Sequence, residues 1–267
     1  MKTFITDNLS TIPLIDYTLH LADTTLLLAQ RNAAWCAHGP ILEQDIAITN
    51  ISLDLIGQAR NFYQYAATLL NNAAEMPQAK LIDEDSLAFE RTEREFKNLL
   101  LAELPNGDWA QTITRQFLFS QYQFLLFEKL QLSQDAQLVA IAAKSIKETR
   151  YHLRWSSEWV LRLGDGTAES KQRMLHGLTE LWPYTGEMFL NASYESSTAE
   201  AGLSVDCSSL QAEWLQKINE TLEEATLAMP QNVFMQTGGK QGLHTEYLGF
   251  ILSDMQYLQR TYPNSQW

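Results

Sequence analysis

None of the five histidines has an acidic residue three positions before it. Tyr17 stands there for His20, Trp35 for His38, Thr149 for His152, Arg173 for His176 and Gln241 for His244. Residues i and i+3 project from one face of a helix, so a Glu-x-x-His pair is the unit from which helical proteins build carboxylate-bridged two-metal sites. Without that pair, such a site is not expected in this chain. Cysteine is scarce too. Cys36 and Cys207 form no metal-type pair and are too few for a disulfide framework, so reduced, buried thiols are expected. No apolar run approaches the ~18 residues of a membrane span, and Met1–Asp7 lacks the apolar stretch of a signal peptide. These absences predict a soluble, cytoplasmic protein. Basic residues are outnumbered 19 to 32, giving a net charge of -13. That balance argues against nucleic-acid binding, which needs basic surface to displace counterions, but leaves room for an anion in one locally basic pocket. Gly-x-Ser-x-Gly and the P-loop pattern are both lacking.

What the chain has is helical periodicity. A hydrophobic fraction of 45% over 267 residues suffices for a sizeable core. Leu19, Asp23, Leu26, Gln30 and Ala33 fall near one side of a first helix, roughly Leu14 to Ala37, which Gly39-Pro40 breaks. A second helix runs from Ile41 to about Leu70, with Ile48, Ile51, Leu55 and Phe62 as its apolar stripe; Gly57 within it suggests close helix packing. A polar connection, Asn71 to Glu84, contains Pro77. A third helix is expected after Asp85, ending near Pro105. Asn106-Gly107 is a turn and Asp108 a cap for a helix to about Leu132. Ser133 can cap the next, which continues to Leu163 before Gly164-Asp165-Gly166 stops it. Further helices are expected over Ser170–Leu190, divided by Pro183, Ser209–Ala228 and Thr245–Arg260, with a long loop over Asn191–Val205. Trp109, Trp155, Trp159, Trp182 and Trp214 read as core or interface. No strand alternation or domain boundary stands out. The expectation is one all-α domain over 1–267, a ferritin-like four-helix bundle core with additional peripheral helices.

Three segments could carry chemistry. In Ser52–Gln58, a Glu-x-x-His pair ending at Gln58 would need its carboxylate at Leu55, which has no donor atom, and a neutral glutamine is a poor iron ligand. Asp54 and Gln58 read better as a polar bridge between helices. In Lys144–His152, Thr149 stands where the carboxylate belongs. Lys144, Glu148 and His152 share a face at i, i+4 steps, so they form either a buried network, with lysine replacing the charge of a metal, or a solvated charge row. In the third, Gly238, Gly239 and Lys240 precede the last long helix. Glycines let backbone amides approach an anion, so this turn is a candidate anion contact; the alternative is a helix-entry turn capped by His244 or Thr245.

Gln30-Arg31, Trp35–His38, Leu53–Phe62, Asn98–Leu101, Lys147–Arg154, Gly238–Glu246 and Met255–Arg260 together resemble the C subunits of bacterial phenylacetyl-CoA epoxidases, over about Leu19 to Trp267. That resemblance implies a ferritin-like subunit that is non-catalytic. Its homologous partner, the catalytic A subunit, would carry the di-iron centre and epoxidise phenylacetyl-CoA with O2, while a reductase supplies electrons from NADPH. It also implies that Leu55, Gln58, Ser120, Thr149 and His152 mark a degenerate metal site and that this chain holds no cofactor of its own; composition, for its part, predicts that neither membrane nor nucleic acid is a partner. Two rival readings remain at this point. One is an active non-haem iron oxygenase with an atypical site built from Glu148, His152, Asp54 and further carboxylates that the sequence does not place. The other is an acyl-CoA-binding module using the turn around Lys240.

Overall fold

A computed structural model describes residues 13–74, 81–263 and 265; Met1–Asp7 and Pro77 lie outside the described residues. In chain order the helices are α1 (Pro13–Ala33), α2 (Leu42–Ala73), α3 (Glu84–Phe89), α4 (Leu100–Glu103), α5 (Trp109–Leu130), α6 (Ala136–Gly164), α7 (Ala168–Leu181), α8 (Ser193–Glu200), α9 (Gln211–Glu224), α10 (Glu246–Met255) and α11 (Tyr257–Thr261). No strand occurs among the described residues. The long helices α1, α2, α5 and α6 form the bundle: α1 packs chiefly on α2, and α5 chiefly on α6. Short connections make consecutive helices antiparallel neighbours. This is the all-α, ferritin-like architecture expected from the periodicity.

Ile48, Ile51, Leu55 and Phe62 of α2 are all fully buried in the core. Asp108 caps α5 by accepting from the Gln111 amide at 2.9 Å, as its position before the helix predicts. The next cap differs. Asp135, not Ser133, accepts from the Leu138 amide, while the Ser133 hydroxyl accepts from the Asp135 amide and donates to the Leu203 carbonyl.

Helix α1 departs from the usual one-sided burial. Every residue from Ile15 to Ala29 is buried, because α8 and the segment 90–104 cover the side turned away from α2. Its polar side chains therefore need internal partners, and those partners reshape what covers it. The expected continuous helix from Asp85 to Pro105 is instead α3, a 3-10 turn at Glu93–Glu95, extended chain and α4. In the extended part the Lys97 amide donates to Asp23 of α1 at 2.8 Å and the Leu99 amide to Thr24 at 3.1 Å. These bonds replace helical ones. The expected loop at Asn191–Val205 likewise contains α8, whose residue Glu195 accepts from the Ala192 amide at 2.7 Å.

Two smaller expectations are also corrected. Gly57 lies on the exposed side of α2, and a Cβ built there would meet nothing within 4 Å, so it serves no close packing within the chain. Cys36 is exposed, whereas Cys207 is buried and its thiol is pushed up to about 12 by burial and by the Glu195 charge. Since the thiolate is the reactive form, iodoacetamide at pH 8 should label Cys36 in the native protein and reach Cys207 only after denaturation. Mass spectrometry of tryptic peptides checks this, and native labelling of Cys207 would overturn it.

Candidate functional site

The positions expected to form a degenerate metal site come together between α2, α5 and α6. Gln58, from α2, donates through Nε2 to Glu148 Oε2 at 2.9 Å. Its own carbonyl oxygen accepts from Gln123 Nε2 of α5 at 3.1 Å. The Gln123 oxygen in turn accepts from the Thr149 hydroxyl of α6 at 3.3 Å. Beside this chain of bonds, Ser120 accepts from Gln116 Nε2 at 2.8 Å, and Gln116 accepts from Asn32 of α1 at 2.7 Å. Leu55 is fully buried and adds only hydrocarbon. His152, fully buried, meets the half-exposed Asp54 at 3.0 Å through Nε2, and its Nδ1 has no partner. Lys144 lies on the exposed side of α6 and takes no part in this network; the partner of Glu148 is the Gln58 amide.

Neutral amides and hydroxyls thus satisfy one another where a two-metal site needs carboxylates and imidazoles. Apart from His152, Glu148 and the peripheral Asp54, the donors here are neutral oxygens and nitrogens that iron binds weakly. Among the described residues no group of three or more His, Cys, Asp or Glu is placed to hold a metal ion. The residues present do not fit a di-iron centre. Gln116, Gln123 and Asn32 went unnoticed in the sequence. Their signal was the row Gln116, Ser120, Gln123 at steps of four and three on a helix otherwise rich in Phe and Leu, which puts polar atoms on a buried face.

The Gly238-Gly239-Lys240 turn does bind anions, but they are the chain's own. Lys240 is 1% exposed. Its ammonium sits 2.9 and 3.1 Å from the two Glu195 oxygens and 2.9 Å from the Leu190 carbonyl. Glu187 accepts from the amides of Gly238 at 2.8 Å and Leu100 at 2.9 Å. The glycines serve this closeness: a Cβ on Gly239 would lie 2.2 Å from the Asn98 carbonyl oxygen, and Gly242 takes φ 77°. The expected external anion contact at Lys240 is therefore corrected, because its charge is buried and already paired. The helix that follows is capped by the Thr245 hydroxyl, which accepts from the Tyr247 amide. His244 bonds Glu103 instead, at 2.8 Å.

Around Glu195 the interior is densely polar. His20 lies 3.7 Å from it and donates through Nδ1 to the Lys97 carbonyl at 2.6 Å. The Cys207 thiol donates to it at 3.5 Å, and the Tyr194 hydroxyl donates to the Lys240 carbonyl at 3.1 Å. Burial pushes the His20 imidazole below its ordinary value. Burial also works against Glu195, but the Lys240 and His20 charges outweigh it and hold the carboxyl below the usual range.

No described helix is long and apolar enough to cross a membrane. The family model described as "Phenylacetic acid catabolic protein" matches residues 5–267. The curated C subunit of the 1,2-phenylacetyl-CoA epoxidase of Escherichia coli (strain K12) is 49% identical over 251 residues, covering 94% of this chain and 98% of that protein. This all-helical chain, matched along nearly its whole length, belongs to the phenylacetic acid catabolic protein family.

Proposed function

We propose that this chain is a single-domain, non-catalytic structural subunit of a cytoplasmic phenylacetyl-CoA 1,2-epoxidase. It holds the homologous di-iron A subunit in an active assembly that a reductase supplies with electrons. One observation supports the reading: Gln58, Ser120 and Thr149 are buried and hydrogen-bonded to Glu148, Gln116 and Gln123, and Leu55 beside them is apolar, so the positions that the resemblance marks as a former metal site offer few ligands. The relative's name supplies the assembly. Chemistry on phenylacetyl-CoA is then the partner's, and this chain contributes a folded surface. The rival iron-oxygenase reading gains nothing from the geometry, since Glu148 and His152 already have partners in Gln58 and Asp54.

Two measurements test the proposal. After anaerobic loading with Fe(II) and desalting, metal analysis should find far less than one iron per chain; two tightly held irons would end the non-catalytic reading. In reconstitution of the di-iron partner with its reductase, leaving out this chain should abolish or destabilise turnover. His152→Ala should lower activity only in proportion to any loss of folding or complex. Normal assembly with no turnover would demand a direct chemical role.

A further inference from the structure

Helix α2 is the longest of the chain at 32 residues, and its two faces differ in kind. One is the core stripe. The other carries Leu42, Ile46, Thr49, Leu53 and Ile56, at steps of four, three, four and three. That is the a/d rhythm of a seam that receives a second helix. Four of these five are large apolar residues in contact with water, Leu42 at 72% and Leu53 at 60% exposed. Apolar exposure scattered singly needs no explanation, whereas a contiguous row marks an interaction surface. Gly57 continues it. A mid-helix glycine weakens a helix, and here nothing within the chain occupies the space it leaves. The seam from residue 42 to residue 57 spans about 22 Å of helix.

Beside the seam runs a ridge of opposite character to the whole chain. α2 and α6 meet where Gln58 bonds Glu148 and Asp54 meets His152. The exposed side of α6 there presents Lys147, Arg150 and Arg154. None of these three forms an ion pair among the described residues; the cation further along α6 that does so is Arg162, with Glu158. Arg150 and Arg154 are held over the rings of Phe124 and Tyr151, each at 5.7 Å. An unneutralised basic ridge on a chain of net charge -13 calls for an acidic counterpart, because complementary charge sets the register and speeds encounter.

We infer that the outer face of α2, with the basic ridge of α6, is the surface on which the homologous di-iron partner docks a helix bearing an apolar seam flanked by acidic side chains. This rests on the proposed function and adds the face and its chemistry. A helix, rather than a loop or strand, is the occupant because the seam has a helix-pairing period. The glycine beside the seam lets that helix approach closely.

The test uses purified full-length chain and purified di-iron partner, with affinity measured by calorimetry and self-association by sedimentation. Gly57→Leu is the central variant. Leucine is the better helix former and its Cβ enters open space, so the isolated chain should melt at or above the wild-type temperature, yet affinity for the di-iron partner should fall at least tenfold. Leu53→Arg should act likewise. Lys147→Glu with Arg154→Glu should slow association and flatten its salt dependence. Phe250→Arg, on α10, should bind as wild type. If wild-type chain does not bind the di-iron partner, the proposed function fails. If wild type binds and both Gly57→Leu and Leu53→Arg bind equally well, the face is wrong and the function stands. A wild-type homodimer that Gly57→Leu abolishes would make a second copy the occupant and overturn the inference.

Discussion

Lys240→Met is expected to destabilise the chain by about 3–5 kcal/mol, because removing one partner of a buried ion pair leaves the other charge uncompensated. In a chain of this size that corresponds to a fall in melting temperature of roughly 10 °C. Glu195 and Lys240 are both essentially inaccessible to water. With lysine gone, Glu195 keeps the Ala192 amide and the Cys207 thiol as donors, and the Met188 and Leu190 carbonyls lose theirs. Glu195→Gln in the same chain removes the stranded charge and should recover at least half of the loss, the remainder reflecting those carbonyls. Thermal and urea denaturation followed by circular dichroism measure both. A loss under about 1 kcal/mol would mean that water reaches the pair.

The same pair predicts opposite pH dependences. In the wild type, Glu195 is held below its ordinary value of 4.5. The stability it contributes is therefore complete above that pH and is lost as pH falls through the lowered folded value. In Lys240→Met the opposing charge is gone and burial dominates, so the folded value rises above 4.5. Protonation then stabilises the fold, and this benefit is lost as pH rises through the raised value. The difference between wild type and variant should accordingly narrow as pH drops from 7 toward 5. A difference that stays constant over that range would show that Glu195 does not carry it.

The four long helices were legible because each buries one apolar stripe whose period is local in sequence, as Ile48, Ile51, Leu55 and Phe62 show. The segment from Asp85 to Pro105 was not. Its conformation is set by Asp23 and Thr24, which lie 74 and 75 residues away from the amides they bind, and a bond across that separation leaves no periodic trace. Helix α8 was hidden for a related reason. Ser193-Tyr194-Glu195-Ser196-Ser197-Thr198 reads as loop because polar residues normally face water, yet Tyr194, Glu195 and Thr198 face a polar interior. At the site, the lack of Glu-x-x-His pairs was readable directly. What stands at those positions was only half readable: Gln58 and Glu148 stood out, but the glutamines of α5 that complete the network lay on a helix read chiefly for its Phe and Leu. The glycines and lysine of the Gly238–Lys240 turn are recognisable as able to bind an anion. The sequence held no sign that the anions were Glu187 and Glu195, which lie about fifty residues earlier.

Asp23→Ala tests how far that long-range bonding governs the fold. Asp23 is fully buried and gathers four donors: both Arg91 Nη groups, one of them at 3.1 Å, the Tyr63 hydroxyl at 2.6 Å and the Lys97 amide at 2.8 Å. Arg91 is 7% exposed and lies 4.3 Å from the Phe96 ring centre, so without Asp23 its charge stays buried with only the carbonyls of Leu87 and Glu95 and the Tyr63 oxygen as acceptors. The expected cost is again about 3–5 kcal/mol. The location of the damage separates this variant from Lys240→Met. The extended chain from Arg91 to Leu99 has few helical bonds of its own, so it should lose its hold on α1 and open below the global transition. Hydrogen exchange should therefore rise first at the Lys97 and Leu99 amides and spread to α4, while α5 and α6 stay protected until global unfolding. Arg91→Met in the Asp23→Ala chain should restore much of the global stability but not the Lys97 protection, because that bond ends on the deleted carboxylate. Uniform exchange across all helices, or unchanged protection at Lys97, would mean that the apolar packing of Phe96 and Leu99 alone shapes this segment, and that the polar side chains of α1 follow the fold without directing it.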